Sequence, residues 1–174
     1  MSKYVKDKEH EEILYHALMG VERSLCIATA DLKNLYINGV RILEIFKQLM
    51  NRGVKIRVLC SSPRTSILEA LPGYITKGSG NGKFKMKVCP RNHMKMFVFD
   101  WATAYIGSAN LTNAAMGGRN KQLRNFEAGI FTNDETLVTS MKGHFDEAWS
   151  KRSCDECLSK LCKNSPKYNV GQTM

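Results

Sequence analysis

Apolar positions recur along this chain with two periods, and the switches between them lay out its elements. Over residues 10–19, Ile13, Leu14, Ala17 and Leu18 fall on one side of a helix that ends at Gly20. Residues 24–30 (SLCIATA) form a short apolar run, the signature of a buried strand. Helical spacing returns over 40–50 and is stopped by Asn51-Arg52-Gly53. Residues 54–60 (VKIRVLC) then alternate, as a half-buried strand does. Strand, helix, strand in this order predicts a parallel βαβ unit. Pro63, Pro72, Gly73, Gly78, Gly80 and Gly82 punctuate the next stretch, where a short helix near 67–71 and a flexible loop are expected. Further strands are expected at 84–89, 93–100, 105–108 and 126–132. A last helix at 134–149 places Leu137, Val138, Met141, Phe145, Ala148 and Trp149 on its apolar side. There is no internal repeat.

At 174 residues the chain is long enough for one core and short for two. The expected fold class is therefore a single α/β domain over 1–150, a mixed sheet with helices on both faces, followed by a polar Cys-containing tail over 151–174. No apolar run reaches the length of a membrane span, and the first ten residues carry charges where a secretory leader is apolar. A cytoplasmic location is the expectation. The net charge is +10, from 26 Lys and Arg against 16 Asp and Glu, which favours an anionic partner such as nucleic acid. A basic protein with no polyanion to bind would show the same excess. Six cysteines in such a chain read as thiols rather than disulfides, with Cys26 and Cys60 inside apolar runs as core residues.

The chemistry gathers at His93-Met94-Lys95-Met96-Phe97-Val98-Phe99-Asp100. On a strand, positions two apart share a face, so His93 and Lys95 project together and Phe97 and Phe99 continue that face into the core. Asp100 has the opposite parity and sits at the strand end. A turn at 101–103 returns the chain through Tyr105 to Ser108, and a turn centred on residue 102 sets Ala109 opposite Lys95 and Leu111 opposite His93. Ser108 and Asn110 then share one end of the hairpin with the His-Lys pair. An imidazole, a fixed cation, and hydroxyl and amide donors suit phosphoryl transfer. The imidazole attacks or carries a proton, while the cation and donors stabilise charge on the phosphate oxygens. Gly107 would let backbone approach the phosphate.

These residues resemble a known family. His-x-Lys-x4-Asp followed by Gly-Ser-x-Asn is the signature of the phospholipase D superfamily, standing here as His93, Lys95, Asp100, Gly107, Ser108 and Asn110. Asn125-Phe126-Glu127 is similar to its Asn-x-Glu element. The resemblance implies a phospholipase D-like sheet flanked by helices and a two-step reaction with two motif copies facing one phosphate. One His forms a phosphohistidine, and the other protonates the leaving oxygen and then activates water. It implies that Glu127 holds a ring nitrogen of the nucleophilic His, that Asp100 supports the structure, and that no metal or other cofactor is needed. One motif copy is present, because His10, His16 and His144 lack a Lys two residues on. A homodimer with its two-fold axis at the site supplies the second.

The motif specifies the bond and leaves the substrate open. A nuclease acting on DNA or RNA is favoured by the charge and by basic residues on both sides of the motif. Lys83, Lys85, Lys87 and Arg91 precede it, and Arg119, Lys121 and Arg124 follow it. Of these, Lys85, Arg91 and Arg124 are the expected substrate contacts. The alternatives are a phospholipase D acting on phospholipid head groups and a non-catalytic nucleic-acid-binding protein. In the tail, Cys154, Cys157 and Cys162 have the spacing of a partial zinc site needing a fourth ligand such as Cys89 or His144. Free thiols on a frayed helix are the other reading.

Overall fold

A mixed, seven-stranded sheet organises the chain in a computed structural model that describes residues 1–63, 83–116 and 121–150. In chain order the elements are β1 (Ser2–Lys6), α1 (Glu9–Met19), β2 (Ser24–Leu32), β3 (Tyr36–Ile37), β4 (Val40–Arg41) and α2 (Ile42–Asn51), then β5 (Lys55–Pro63) and β6 (Phe84–Val88). After these come β7 (Met96–Phe99), β8 (Thr103–Gly107), β9 (Ala128–Thr132) and the last helix, α3 (Glu135–Ser150). The strand order is β1-β9-β8-β7-β2-β5-β6. β2, β5 and β6 run parallel, with α2 in the expected crossover, and every pairing from β7 to β1 is antiparallel. The helix expected at 67–71 and the whole of 151–174 lie outside the described residues.

The central strands are apolar on both sides because both sides are covered. Leu25 and Ile27 of β2 pack with Leu14 and Leu18 of α1 and with Ile45, Phe46 and Leu49 of α2. Their neighbours Cys26 and Ala28 face the other way, with Leu59, Val98, Ala104 and the α3 residues Val138 and Phe145. Burial pushes the Cys26 thiol up to about 11 and the Cys60 thiol up to about 12, so both stay protonated core groups. Leu137 departs from the expected apolar side of α3 and is 47% exposed. The helix is held instead by Phe145 and Trp149, over which the Arg57 guanidinium lies while bonding Asp146 at 2.8 Å. No helix among the described residues is long and apolar enough to cross a membrane.

Several expectations need correction. The charged N-terminus forms an edge strand, β1, in which Val5 alone is buried. Residues 36–41, read partly as helix, form a two-residue hairpin across Asn38-Gly39, where φ is +48° and +77°. The strand expected at 93–100 is shorter, so that His93 and Lys95 precede β7 instead of lying on it. The hairpin to β8 turns one residue earlier than expected, through Asp100 and Trp101 at φ +52° and +61°, closed by Ala102 N–H donating to Phe99 O at 3.0 Å. Met96 therefore pairs with Ile106, and Gly107 N–H donates to Lys95 O at 3.0 Å, placing Gly107 where Ala109 was expected.

Candidate active site

Chain direction changes between β6 and β7, and the site lies at that switch. From Val88 the chain arches over the carboxyl ends of β5 and β2 before descending into β7, the position at which open α/β sheets hold ligands. Cys89 N–H donates to Cys60 O at 2.9 Å and Asn92 N–H to Cys89 O at 2.9 Å. His93 is exposed at the crest. Asn92, beside it, is 6% exposed and bonded through its amide to the carbonyls of Thr29 and Leu59 at 2.9 and 3.1 Å.

Lys95 folds back onto His93. Its Nζ donates to His93 O at 2.8 Å and stands 3.2 Å from Nδ1 and 3.4 Å from Nε2 of the ring. Burial lowers the Lys95 pKa, and the Glu127 charge opposes that shift, so the carboxylate faces the ammonium. Glu127 is 9% exposed and tightly held. One carboxylate oxygen accepts from the Ser108 hydroxyl, and the other accepts from Asn125 Nδ2 at 3.0 Å. Ser108 Oγ also accepts from Ala128 N–H at 3.0 Å, which ties the end of β8 to the start of β9. Beyond Ser108, Leu111 N–H donates to the Thr29 hydroxyl at 3.3 Å, bringing Asn110 back to the arch, its Oδ1 buried without a partner.

The structure thus brings His93, Lys95, Ser108, Asn110 and Glu127 together at one end of the central strands. The bond expected between Glu127 and a His93 ring nitrogen is not made within one chain, where the ring stands against the Lys95 ammonium and the carboxylate accepts from Ser108 and Asn125. The space beside Gly107 is filled by protein. A Cβ there would stand 2.3 Å from the Tyr105 hydroxyl and 2.6 Å from Ala128 O. That hydroxyl lies 2.8 Å from Nδ1 of His10, which is fully buried and whose pKa is lowered by burial. His10 and Tyr105 form a floor beneath Gly107 that no spacing in the sequence announces.

Asp100 belongs elsewhere. It lies at the far end of β7, roughly 20 Å from His93 at strand rise, and accepts from the backbone N–H of Glu22, Arg23 and Ser24 at 2.7–2.8 Å. It buttresses the fold at the opposite end of β7 from His93. The basic rim also contracts. Lys83 Nζ donates to Met50 O near the end of α2, and Lys87 Nζ donates to Trp149 O near the end of α3, so both serve as helix caps. Lys85 stands at the level of Arg57, Cys26 and Val98, three strands from β7 and on the α3 side, about 14 Å across the sheet. Arg91, exposed two residues before His93, and Arg124, half-buried beside Asn125, keep their places next to the site. The side chain of Lys121, together with Arg119, Cys154, Cys157 and Cys162, lies outside the described residues. Among the described residues no cluster of His, Cys, Asp and Glu is arranged to hold a metal.

Known proteins share this architecture. A probable cardiolipin synthase of Bacillus subtilis, YwiE, is 24% identical over 142 residues, covering 78% of this chain and 26% of its own, so the chain spans about a quarter of that relative. The phospholipase D family member Nuc of Salmonella typhimurium superposes with a TM-score of 0.63 at 21% identity, over 86% of this chain and 94% of Nuc. TrmBL2, an archaeal chromatin protein with a novel mode of DNA binding, superposes with a TM-score of 0.59 at 18% identity, over 87% of this chain and 53% of its own. The model of the family described as cardiolipin synthase, PLD-like domain, matches residues 17–149, most of the chain and every residue gathered at the site except His10. The chain belongs to the phospholipase D-like family.

Proposed function

We propose that this family member cleaves nucleic-acid strands through a covalent phosphohistidine, at a site completed by the same residues of a second copy. The observation that carries the reading is an exposed imidazole, His93, against which the Lys95 ammonium stands, with the tethered Glu127 carboxylate facing that ammonium. His10 is buried against Tyr105, while His16 and His144 belong to helices on opposite faces of the sheet. A two-fold axis at the arch puts His93 of the partner subunit across from the first.

In the first step a His93 ring nitrogen attacks phosphorus. The N–P bond forms as the P–O bond to the departing strand breaks, and the departing oxygen takes a proton from the partner's His93. In the second step that imidazole removes a proton from water. The water oxygen bonds phosphorus, the N–P bond breaks, and both imidazoles return to their starting protonation. Lys95 and the Asn110 amide donate to the non-bridging oxygens, whose charge grows in both transition states.

Nucleic acid is supported as substrate by the +10 charge, by Arg91 and Arg124 beside the site, and by burial of Phe97 and Phe99, which leaves them unable to line an acyl-chain entry. A second reading, transfer or hydrolysis of a phospholipid head group, is favoured by the likeness to a probable cardiolipin synthase. The test is purified protein with labelled DNA, labelled RNA, and phosphatidylcholine or phosphatidylglycerol vesicles, in excess EDTA. Cleavage of nucleic acid is expected, with binding that weakens steeply as salt rises. His93→Ala should abolish turnover and retain the circular dichroism of the fold. Vesicle turnover with salt-insensitive nucleic-acid binding would replace this reading with the second.

A further inference from the structure

The structure assigns to Asn92 the positioning of His93, a role that rests on the reading of His93 as the attacking group. Five features of Asn92 meet at the crest of the arch. Its backbone N–H donates to Cys89 O at 2.9 Å. Its side-chain amide donates to Thr29 O on β2 at 2.9 Å and to Leu59 O on β5 at 3.1 Å. Its Oδ1 accepts from Met94 N–H at 3.3 Å, so the bonds bracket His93 on both sides in sequence. The residue is 6% exposed, although His93 is exposed.

The arrangement answers a need of the topology. β7 pairs with β2 only as far as Met96 opposite Ala28, so His93 and Lys95 have no partner on β2, while Thr29 stays opposite Cys60 in the β2–β5 ladder. The Asn92 amide supplies the tie that the missing pairing would have given, donating to Thr29 O and Leu59 O across the seam between β2 and β5. His93 thus gains, outside any strand, an anchoring that regular pairing does not provide. Thr29 serves the site twice, since its hydroxyl accepts from Leu111 N–H and holds the segment carrying Asn110. Asp does not replace Asn here, because a carboxylate turns two acceptors toward carbonyl oxygens. Ala leaves the crest untethered.

The test uses the full chain with Asn92→Ala and Asn92→Asp, compared with wild type by turnover, by affinity for labelled DNA and by the ring signals of 15N-labelled histidine. The expected result is a fall in kcat of about 10²-fold, the scale of an ångström-sized misplacement, with KM and DNA affinity unchanged. The His93 ring signals should shift or broaden while those of His16 and His144 stay in place. As pH falls and its carboxyl gains a proton able to donate to one carbonyl, Asn92→Asp should regain the His93 ring signals that wild type shows at the same pH. Unfolding of Asn92→Ala would leave the decision to Asn92→Asp at low pH, where the donor is restored. Folded variants with wild-type kcat and unmoved His93 signals overturn the assignment. Absence of phosphodiester turnover in wild type would instead remove the catalytic reading, and the ring signals would still report whether Asn92 holds His93.

Discussion

At the scale of single residues, the site is as much a packing problem as a set of reactive groups. Tyr105 is buried completely, with its ring under Gly107 and Gly129 on adjacent strands and its hydroxyl on His10. A Cβ at Gly129 would stand 2.7 Å from the Tyr105 ring, and one at Gly107 would meet both the hydroxyl and the Ala128 carbonyl. The second contact is with backbone and has no flexible end to move aside. Gly107→Ala should therefore destabilise the fold by about 1–3 kcal/mol, the usual range for overpacking a filled interior. It should also cost turnover, because Ser108 and the N–H bond to Lys95 adjoin the same backbone. Urea unfolding measures the first effect and kcat on folded protein the second. A variant with wild-type stability would show that the strands part easily there.

At the scale of elements, Asp100 shows how a motif residue can serve the hairpin and leave the chemistry to others. It turns the chain at positive φ, a conformation Asp tolerates better than most side chains, and its carboxylate gathers three N–H groups of the segment entering β2. Burial alone would raise its pKa. The N–H donors of Glu22, Ser24 and Arg23 outweigh that and hold it below the ordinary carboxylate range. Because the folded value lies below the unfolded one of about 3.9, the stabilisation is complete above that pH and is lost as pH falls through the folded value. Asp100→Asn should cost about 2 kcal/mol near neutrality, the scale of charge-assisted hydrogen bonds, and should flatten the fall in stability below about pH 4. Thermal unfolding across pH checks both. Turnover of the folded variant should match wild type, since Asp100 lies at the opposite end of β7 from His93.

At the scale of the whole molecule, the shared site makes activity a property of pairs. Mixing wild type with an excess of His93→Ala subunits should poison turnover, since a heterodimer keeps one imidazole where the cycle uses two. Full specific activity per wild-type subunit in verified heterodimers, or an active monomer in sedimentation at assay concentration, would contradict the shared site. Salt separates two further contributions. Each copy carries +10, so screening should ease self-association while it weakens the hold on nucleic acid. Sedimentation and DNA affinity measured over one salt series should therefore move in opposite directions.

The sequence by itself determined what local periodicity and residue type can carry. The helices at α1 and α3, the parallel β2-α2-β5 unit, the core role of Cys26, Cys60, Phe97 and Phe99, and the grouping of His93 and Lys95 follow from spacing along the chain. So does the meeting of Ser108 and Asn110 with that pair, because a short hairpin leaves few registers. The Asn38-Gly39 hairpin was equally legible as turn chemistry, but the helical period downstream of it masked the signal. Tertiary structure alone decided the rest, for a physical reason common to each case. The end of a lysine side chain, the partner of a buried carbonyl and the neighbour of a strand are set by residues far away in sequence. Lys87 caps a helix 62 residues on, and Tyr105 meets a histidine 95 residues back. Asn92 reads in sequence as one polar residue before a motif. Only the arch over β2 and β5 brings its amide onto the Thr29 and Leu59 carbonyls.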